Sequence, residues 1–203
     1  MATNTFVGEG RISHGEPEKP PTPGSGLMPD LTPLFHQFFD YVLQNEGGYA
    51  NDPNDAGGET MYGISAATAR RRGLTPGSVT LTDAMDIYHD DYWVFWDWVD
   101  DPRLRIKIAD AGVLIPRPNV IRMVQESLSH LGVNPGPVDG KAGPKTKTAM
   151  ETLVGRGDAS YLMVQFKLHM EAYLRRRVLL RPENRKFLRG WVNRSRREPE
   201  EIQ

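Results

Sequence analysis

Glu46 is the residue whose place in the chain most directly suggests chemistry. It follows Leu43 by three residues, Val42 by four and Phe39 by seven, offsets that put it over the apolar face of a helix. It also stands where that helix must stop, because Gly47 and Gly48 come next. Apolar surroundings and the negative end of a helix macrodipole both disfavour an ionised carboxylate. A carboxylic acid that keeps its proton near neutral pH is what a glycosidic oxygen requires of a general acid. A lone Glu at a helix end is ordinarily just solvated, so its neighbours decide the matter.

Those neighbours form the segment 46–64, EGGYANDPNDAGGETMYGI. Its Asn, Asp, Pro and Gly residues exclude a regular helix over 51–64. Its glycines allow positive φ and let the backbone approach a bulky ring. Tyr49 and Tyr62 offer flat faces to sugars, with Gly63 beside them as a third substrate-binding candidate. Asp52 and Asp55 either cap turns or supply a second carboxylate that orients water or stabilises an oxocarbenium-like state. Thr60 is placed to hold a water or the Glu46 carboxyl.

The elements that must position these groups are read from periodicity. Thr32 caps and Pro33 opens a helix whose apolar face is Leu34, Phe35, Phe38, Phe39, Val42 and Leu43. Further helices are expected after Ser65 up to Gly73, over 82–98 with Thr82 as cap, from Pro102 to near Val113, and over 119–131. A Gly/Pro loop, GVNPGPVDGKAGP, precedes helices over 145–154, 158–180 and 184–193. No convincing alternating strand is present, so the fold class is mostly α. Residues 1–29, rich in Pro, Gly and Glu, read as an extended arm without a core of its own.

Composition narrows the function classes. Hydrophobic residues make up 38% and charged residues 25%, a globular balance. The net charge of −1 does not announce a polyanion-binding protein, and no nucleic-acid motif appears. The absence of cysteine excludes disulfides, zinc thiolates and thiol nucleophiles. The five histidines show no ligand spacing, so neither metal nor cofactor is expected. No membrane span and no secretory signal peptide are expected. Residues 83–101 hold seven Asp and no Lys or Arg, whereas 174–197 hold ten Lys/Arg and one acid, Glu183. These read as two solvated helix faces that attract each other, or, for the basic end, as an attraction to anionic wall polymer.

The segment 46–64 resembles the N-terminal signature of the glycoside hydrolase family 108 muramidases, which include phage-type endolysins and proteins called secretion activators. The matching residues are Glu46, Gly47, Gly48 and Tyr49; Asp52 and Pro53; Asp55, Gly57, Gly58 and Thr60; and Gly63 and Ile64. The family's catalytic acid falls on Glu46. Met61 stands where a polar residue is expected. HDDYWVFWDWVDDPRL is similar to the family's aromatic helix, whose Tyr-Trp pair is Tyr92 and Trp93 here; either packs in the core or lines a saccharide groove. An Asp-x-x-Val-Asn segment is matched by Asp110 and Val113, with Leu114 in place of the Asn. Residues 121–150 resemble the peptidoglycan-binding-like module that follows, through Gln125, Leu128, Leu131, Gly132, Val133, Asp139, Gly140, Gly143, Pro144, Thr146 and Ala149. The closing Gly-Trp-x-x-Arg pattern falls on Gly190, Trp191 and Arg194.

The resemblance implies a lysozyme-like helical catalytic lobe over 30–115 and a small helical peptidoglycan-binding-like lobe over 116–203, behind the arm 1–29. It implies a muramidase that cuts the β-1,4 bond between N-acetylmuramic acid and N-acetylglucosamine in peptidoglycan glycan strands. A lytic transglycosylase uses a single acid in the same way, without water. The competing class is a virion-associated or structural wall-binding protein, in which the arm docks a phage or secretion-system protein. Without a signal peptide, a chain made in the cytoplasm reaches the periplasm or wall through a holin, a secretion system or a virus particle.

Overall fold

The structure, a computed structural model, describes residues 32–46 and 62–200, and of Glu46 only the main chain. The arm 1–29, Tyr49, Asp52, Asp55, Thr60 and Met61 lie outside the described residues.

Eight α-helices carry the fold, and no strand occurs among the described residues. Helix α1 spans Pro33–Glu46, and Thr32 Oγ1 accepts from the Phe35 amide at 3.3 Å, as its N-terminal sequence requires. Phe35, Phe38, Phe39, Tyr41 and Val42 are buried along one side of it. Helix α2, Ala66–Arg71, is capped by Ser65 and followed by Gly73 at φ +75°. Helix α4, Pro102–Leu114, combines an Asp101 cap with proline at its start. Helix α5, Arg117–His130, follows at once. Helix α6 is Pro144–Gly155 and helix α7, the longest, is Ala159–Leu180.

Three expectations shift. Helix α3 is Leu81–Tyr88 and its cap is Thr80, not Thr82, because Thr80 and Asp83 close a reciprocal capping box. The stretch expected to continue to residue 98 leaves the α form for a π turn at His89–Trp93 and a 3-10 turn at Val94–Trp96. Tyr88, Trp93 and Trp96 are all buried, and the change of pitch turns all three inward. The last expected helix starts as a 3-10 turn, Pro182–Phe187, and becomes α8 at Leu188–Arg196.

The opposite charges of 83–101 and 174–197 do not meet in the ion pairs seen among the described residues. Asp90 and Asp91 are taken by Arg72 (3.2 and 2.5 Å), and Asp91 also by Arg71 (3.4 Å). In the basic stretch, Arg175 and Arg196 share Glu171, and Arg194 reaches Asp110. Arg71 at the end of α2 and Arg72, which caps it, lie beside the acidic segment and pair with it in place of the distant C-terminus.

Helix α7 packs against α5 and α8, and α1 packs against α4. The buried side chains of both halves form one continuous core from Phe35 to Leu174. Within the second half, Gln125 organises the Gly/Pro loop. Its amide nitrogen donates to Asp139 Oδ1, the Lys141 carbonyl and Thr146 Oγ1, each at 3.1 Å, and its oxygen accepts from the Gly140 amide at 3.0 Å. Gly140 has φ +78°, and a Cβ there would lie 2.6 Å from the Pro118 carbonyl oxygen. This position accepts only glycine.

Candidate active site

Glu46 is the final residue of α1. The turn before it is held by long-range polar contacts. Asn45 donates to the Tyr41 carbonyl (3.0 Å) and to Asp110 Oδ1 of α4 (3.4 Å), and accepts from Arg197 at 3.3 Å. Arg197 also donates to Gln44. Residues from α4 and from the far C-terminus thus fix the end of the helix that carries Glu46.

Beneath this lies a buried ionic cluster. Arg194 of α8 donates to Asp110 Oδ1 through Nε at 3.0 Å and Nη2 at 2.8 Å. Lys107 Nζ donates to the Arg194 carbonyl at 2.6 Å and to the Tyr41 hydroxyl at 3.2 Å, and sits 4.0 Å from Asp110 Oδ2. The Tyr41 hydroxyl in turn donates to the Arg197 carbonyl at 2.9 Å. Lys107 and Asp110 are fully buried. Burial holds the Lys107 ammonium down at about 8, against the opposing pull of Asp110. Burial, then the Asp110 charge, pushes the Tyr41 phenol well above its ordinary value. Asp110 Oδ2 has no hydrogen-bond partner among the described residues.

Of the substrate-binding residues expected from sequence, Tyr62 and Gly63 lie in a left-handed turn, at φ 53° and 75°. A tyrosine rarely adopts that conformation, and such backbone strain is concentrated at functional sites. The turn is tied to α1 through Tyr88, whose hydroxyl donates to the Tyr62 carbonyl at 3.1 Å and whose ring packs edge-on against Phe39 at 5.6 Å. Tyr92 is half-buried with its ring 5.6 Å from Tyr88. Tyr88 and Tyr92 thus form an aromatic pair against Phe39 of α1, with the Tyr62 main chain bonded to Tyr88. Trp93 departs from the pair. It is 4% exposed, stacked on Phe38 at 5.0 Å and covered by the Arg105 guanidinium at 4.2 Å from its ring centre. Both faces are occupied, so Trp93 packs the core and presents no surface to a sugar. Asp52, Asp55, Thr60 and Tyr49 lie outside the described residues, and so does the side chain of Glu46.

Beside Tyr92 opens a cleft of about 970 Å³, which sequence reasoning did not anticipate. Its floor is the junction of α4 and α5, from Gly112 through Leu114 to Pro116, and its walls are α5 and α7. The side chain of Leu114, where the signature leads one to expect Asn, lines this floor, and its carbonyl accepts from Arg177 at 3.3 Å. The only sequence signal was the cluster Arg175, Arg176 and Arg177, which periodicity alone leaves on a solvated face.

Among the described residues no cluster of His, Cys, Asp and Glu could hold a metal ion. The described residues form a helical scaffold in which α1 ends at Glu46, Tyr88 links the Tyr62 turn and Tyr92 to Phe39 of α1, and a cleft adjoins Tyr92.

Two segments of the chain are similar to known families. Residues 39–115 match the family described as glycosyl hydrolase 108, and residues 119–196 match a family described as a predicted peptidoglycan domain. The solved structure of SagA from Brucella abortus is similar, with 26% identity, 79% of this chain and 88% of that chain covered, and a TM-score of 0.63. Comparison with curated proteins found no match. The class is a mostly helical glycoside hydrolase directed at peptidoglycan. Residues 39–115 carry the match to glycosyl hydrolase 108, and the match to the peptidoglycan domain follows it over 119–196.

Proposed function

We propose that this chain is an N-acetylmuramidase that hydrolyses the β-1,4 bond between N-acetylmuramic acid and N-acetylglucosamine, with Glu46 as the general acid. Glu46 gives its proton to the leaving glycosidic oxygen. A water held by Asp52, Asp55 or Thr60 adds to the anomeric carbon, and its released proton restores the acid. The catalytic lobe on this reading spans 30–115 and the wall-binding lobe 116–203. Tyr49, Tyr62, Gly63 and Tyr92 flank the sugars.

The observation that carries the reading is the seat of Glu46. It is the last residue of α1, next to Asn45, which is clamped to Asp110 and Arg197. A general acid must be held at a set distance from the bond it protonates, and a clamped helix end provides that. The Glu46 position also lies inside the hydrolase-family match.

The protein acts in the periplasm or wall as a bacteriolytic, endolysin-type enzyme, delivered by a holin, a secretion system or a virus particle. Residues 1–29 serve to dock a phage or secretion-system protein. No helix among the described residues is long and apolar enough to cross a membrane.

The test compares the purified protein with a Glu46→Gln variant on isolated Gram-negative sacculi. The parent is expected to release muropeptides with reducing ends, and the variant to be about 100- to 10,000-fold slower, the usual contribution of a general acid. No release by the parent would defeat the enzyme reading. Equal release by both would remove Glu46 as the acid. Products ending in an anhydro sugar would make the protein a lytic transglycosylase.

A further inference from the structure

The cleft between α5 and α7 has a distinct chemistry. Four arginines line it, Arg122, Arg176, Arg177 and Arg181, against one carboxylate, Glu126. Glu126 is already engaged by His169, whose Nδ1 lies 3.2 Å from Oε2. The four cations differ in how they are occupied. Arg177 donates to the Leu114 carbonyl and its guanidinium lies 4.9 Å from the Trp191 ring centre, so it is built into the wall. Arg122 donates to Asn119 Oδ1 (3.0 Å) and to the Asp139 carbonyl (3.3 Å). Arg176 and Arg181 are exposed, and their guanidinium groups meet no acceptor among the described residues.

The same cleft offers neutral polar groups deeper in. Asn119 donates to the Tyr173 hydroxyl at 3.1 Å, which leaves the tyrosine's own proton to give. Tyr173, Arg176, Arg177 and Leu180 recur at helical spacing, so one face of α7 carries an aromatic ring, two guanidinium groups and an apolar end. A volume of about 970 Å³ suits a ligand of several residues rather than a single ion, near the upper end of the roughly 300–1,000 Å³ usual for ligand pockets.

The occupant follows from charge. An N-acetylated glycan strand is neutral once its lactyl groups are joined to peptide. The anions of peptidoglycan are the free carboxylates of its peptide stems. Guanidinium pairs these carboxylates in a planar, two-bond geometry. Tyr92, which the proposed reading puts along the sugars, also lines the cleft. We infer that the α5–α7 cleft binds the carboxylates of the peptide stem, through Arg176 and Arg181, while the glycan lies along Tyr62 and Tyr92. This rests on the proposed muramidase reading for the position of the glycan, but stem binding is measured without turnover. The consequence is selectivity: the protein prefers strands that still carry their peptides.

The experiment uses the full chain with Glu46→Gln, so that nothing is cleaved, and calorimetry with a soluble stem tetrapeptide. A tetrapeptide with its carboxylates amidated, a chitin oligosaccharide and heparin serve as comparison ligands. Binding of the free-acid tetrapeptide is expected to weaken by roughly tenfold or more when Arg176→Glu and Arg181→Glu are added, because repulsion replaces two charge-assisted hydrogen bonds. Amidation is expected to weaken binding to a similar degree. Reversal of Arg185 and Arg189, exposed and outside the cleft, matches the charge change and is expected to leave affinity within about twofold, as long-range effects are screened by salt. Thermal melts check that each variant is folded. The inference is overturned if the tetrapeptide does not bind, if the amidated peptide binds equally well, if both double reversals weaken binding alike, or if heparin alone binds. A parent chain that binds stems but releases no muropeptide would sink the enzymatic reading and leave the cleft assignment standing.

Discussion

Two buried polar clusters among the described residues are built on opposite principles. The Gln125 cluster is neutral at its centre and local, with partners 14 to 21 residues away. Its amide uses both donor and acceptor, and it shapes one loop. The Asp110 cluster is charged and long-range: Asn45 is 65 residues from Asp110, and Arg194 is 84. It joins α1, α4 and α8, and leaves Asp110 Oδ2 unbonded among the described residues. A neutral network that satisfies itself defines a piece of fold at little risk. A buried ionic cluster is sensitive to the loss of any member, because the remaining charge cannot reach water. The end of the helix that carries Glu46 rests on the second kind.

The largest expected effect tests that sensitivity. Arg194→Ala removes the principal partner of a fully buried carboxylate and is expected to cost about 3–5 kcal/mol, read from denaturant unfolding. A cost below about 1 kcal/mol, the level of an exposed ion pair, would break the contrast. Next comes the local cluster. Gly140→Ala forces a side chain into a left-handed backbone and against the Pro118 carbonyl, and is expected to cost about 2–3 kcal/mol. A neutral result would mean that the loop can move away from α5.

The smallest effect is a pH dependence. Lys107 has a folded value of about 8 against 10.5 for the free side chain, so between these values the unfolded chain binds more protons and stability rises with pH. Above about 10 the raised Tyr41 phenol acts the other way, because only the unfolded tyrosine ionises there. Stability is therefore expected to climb by on the order of 1–2 kcal/mol from pH 8 to 10 and then to level or fall. A Lys107→Met variant should lose the climb. If it keeps the same slope, another group is titrating.

Much of the fold was legible because its signals are local. Thr32 with Pro33, Ser65 and Pro102 announce helix starts through side chains within three or four residues of the bonds they make. The 82–98 stretch departs from its local signals because the deciding force is not local. Its pattern fits a helix, but the inward demand of Tyr88, Trp93 and Trp96 comes from the core and changes the pitch. Trp93 looked available to a sugar because nothing in sequence shows that Phe38 and Arg105 cover it. At the site, position and signature singled out Glu46. The clamp on its helix was not visible, since Asp110 and Arg194 each appeared as isolated letters of a pattern.

Sequence by itself determined the helical class, the family signature around Glu46 and the glycine-bearing turns, all of which depend on spacings of a few residues. Only the tertiary structure decided which charges meet. It brought Arg194 to Asp110, gave the acidic stretch to Arg71 and Arg72, and set α7 against α5 to open an arginine-lined cleft. The physical reason is range. A hydrogen-bonded cap is settled within a turn of helix, whereas an ion pair across the core depends on how whole helices pack, and that is a property of the complete chain.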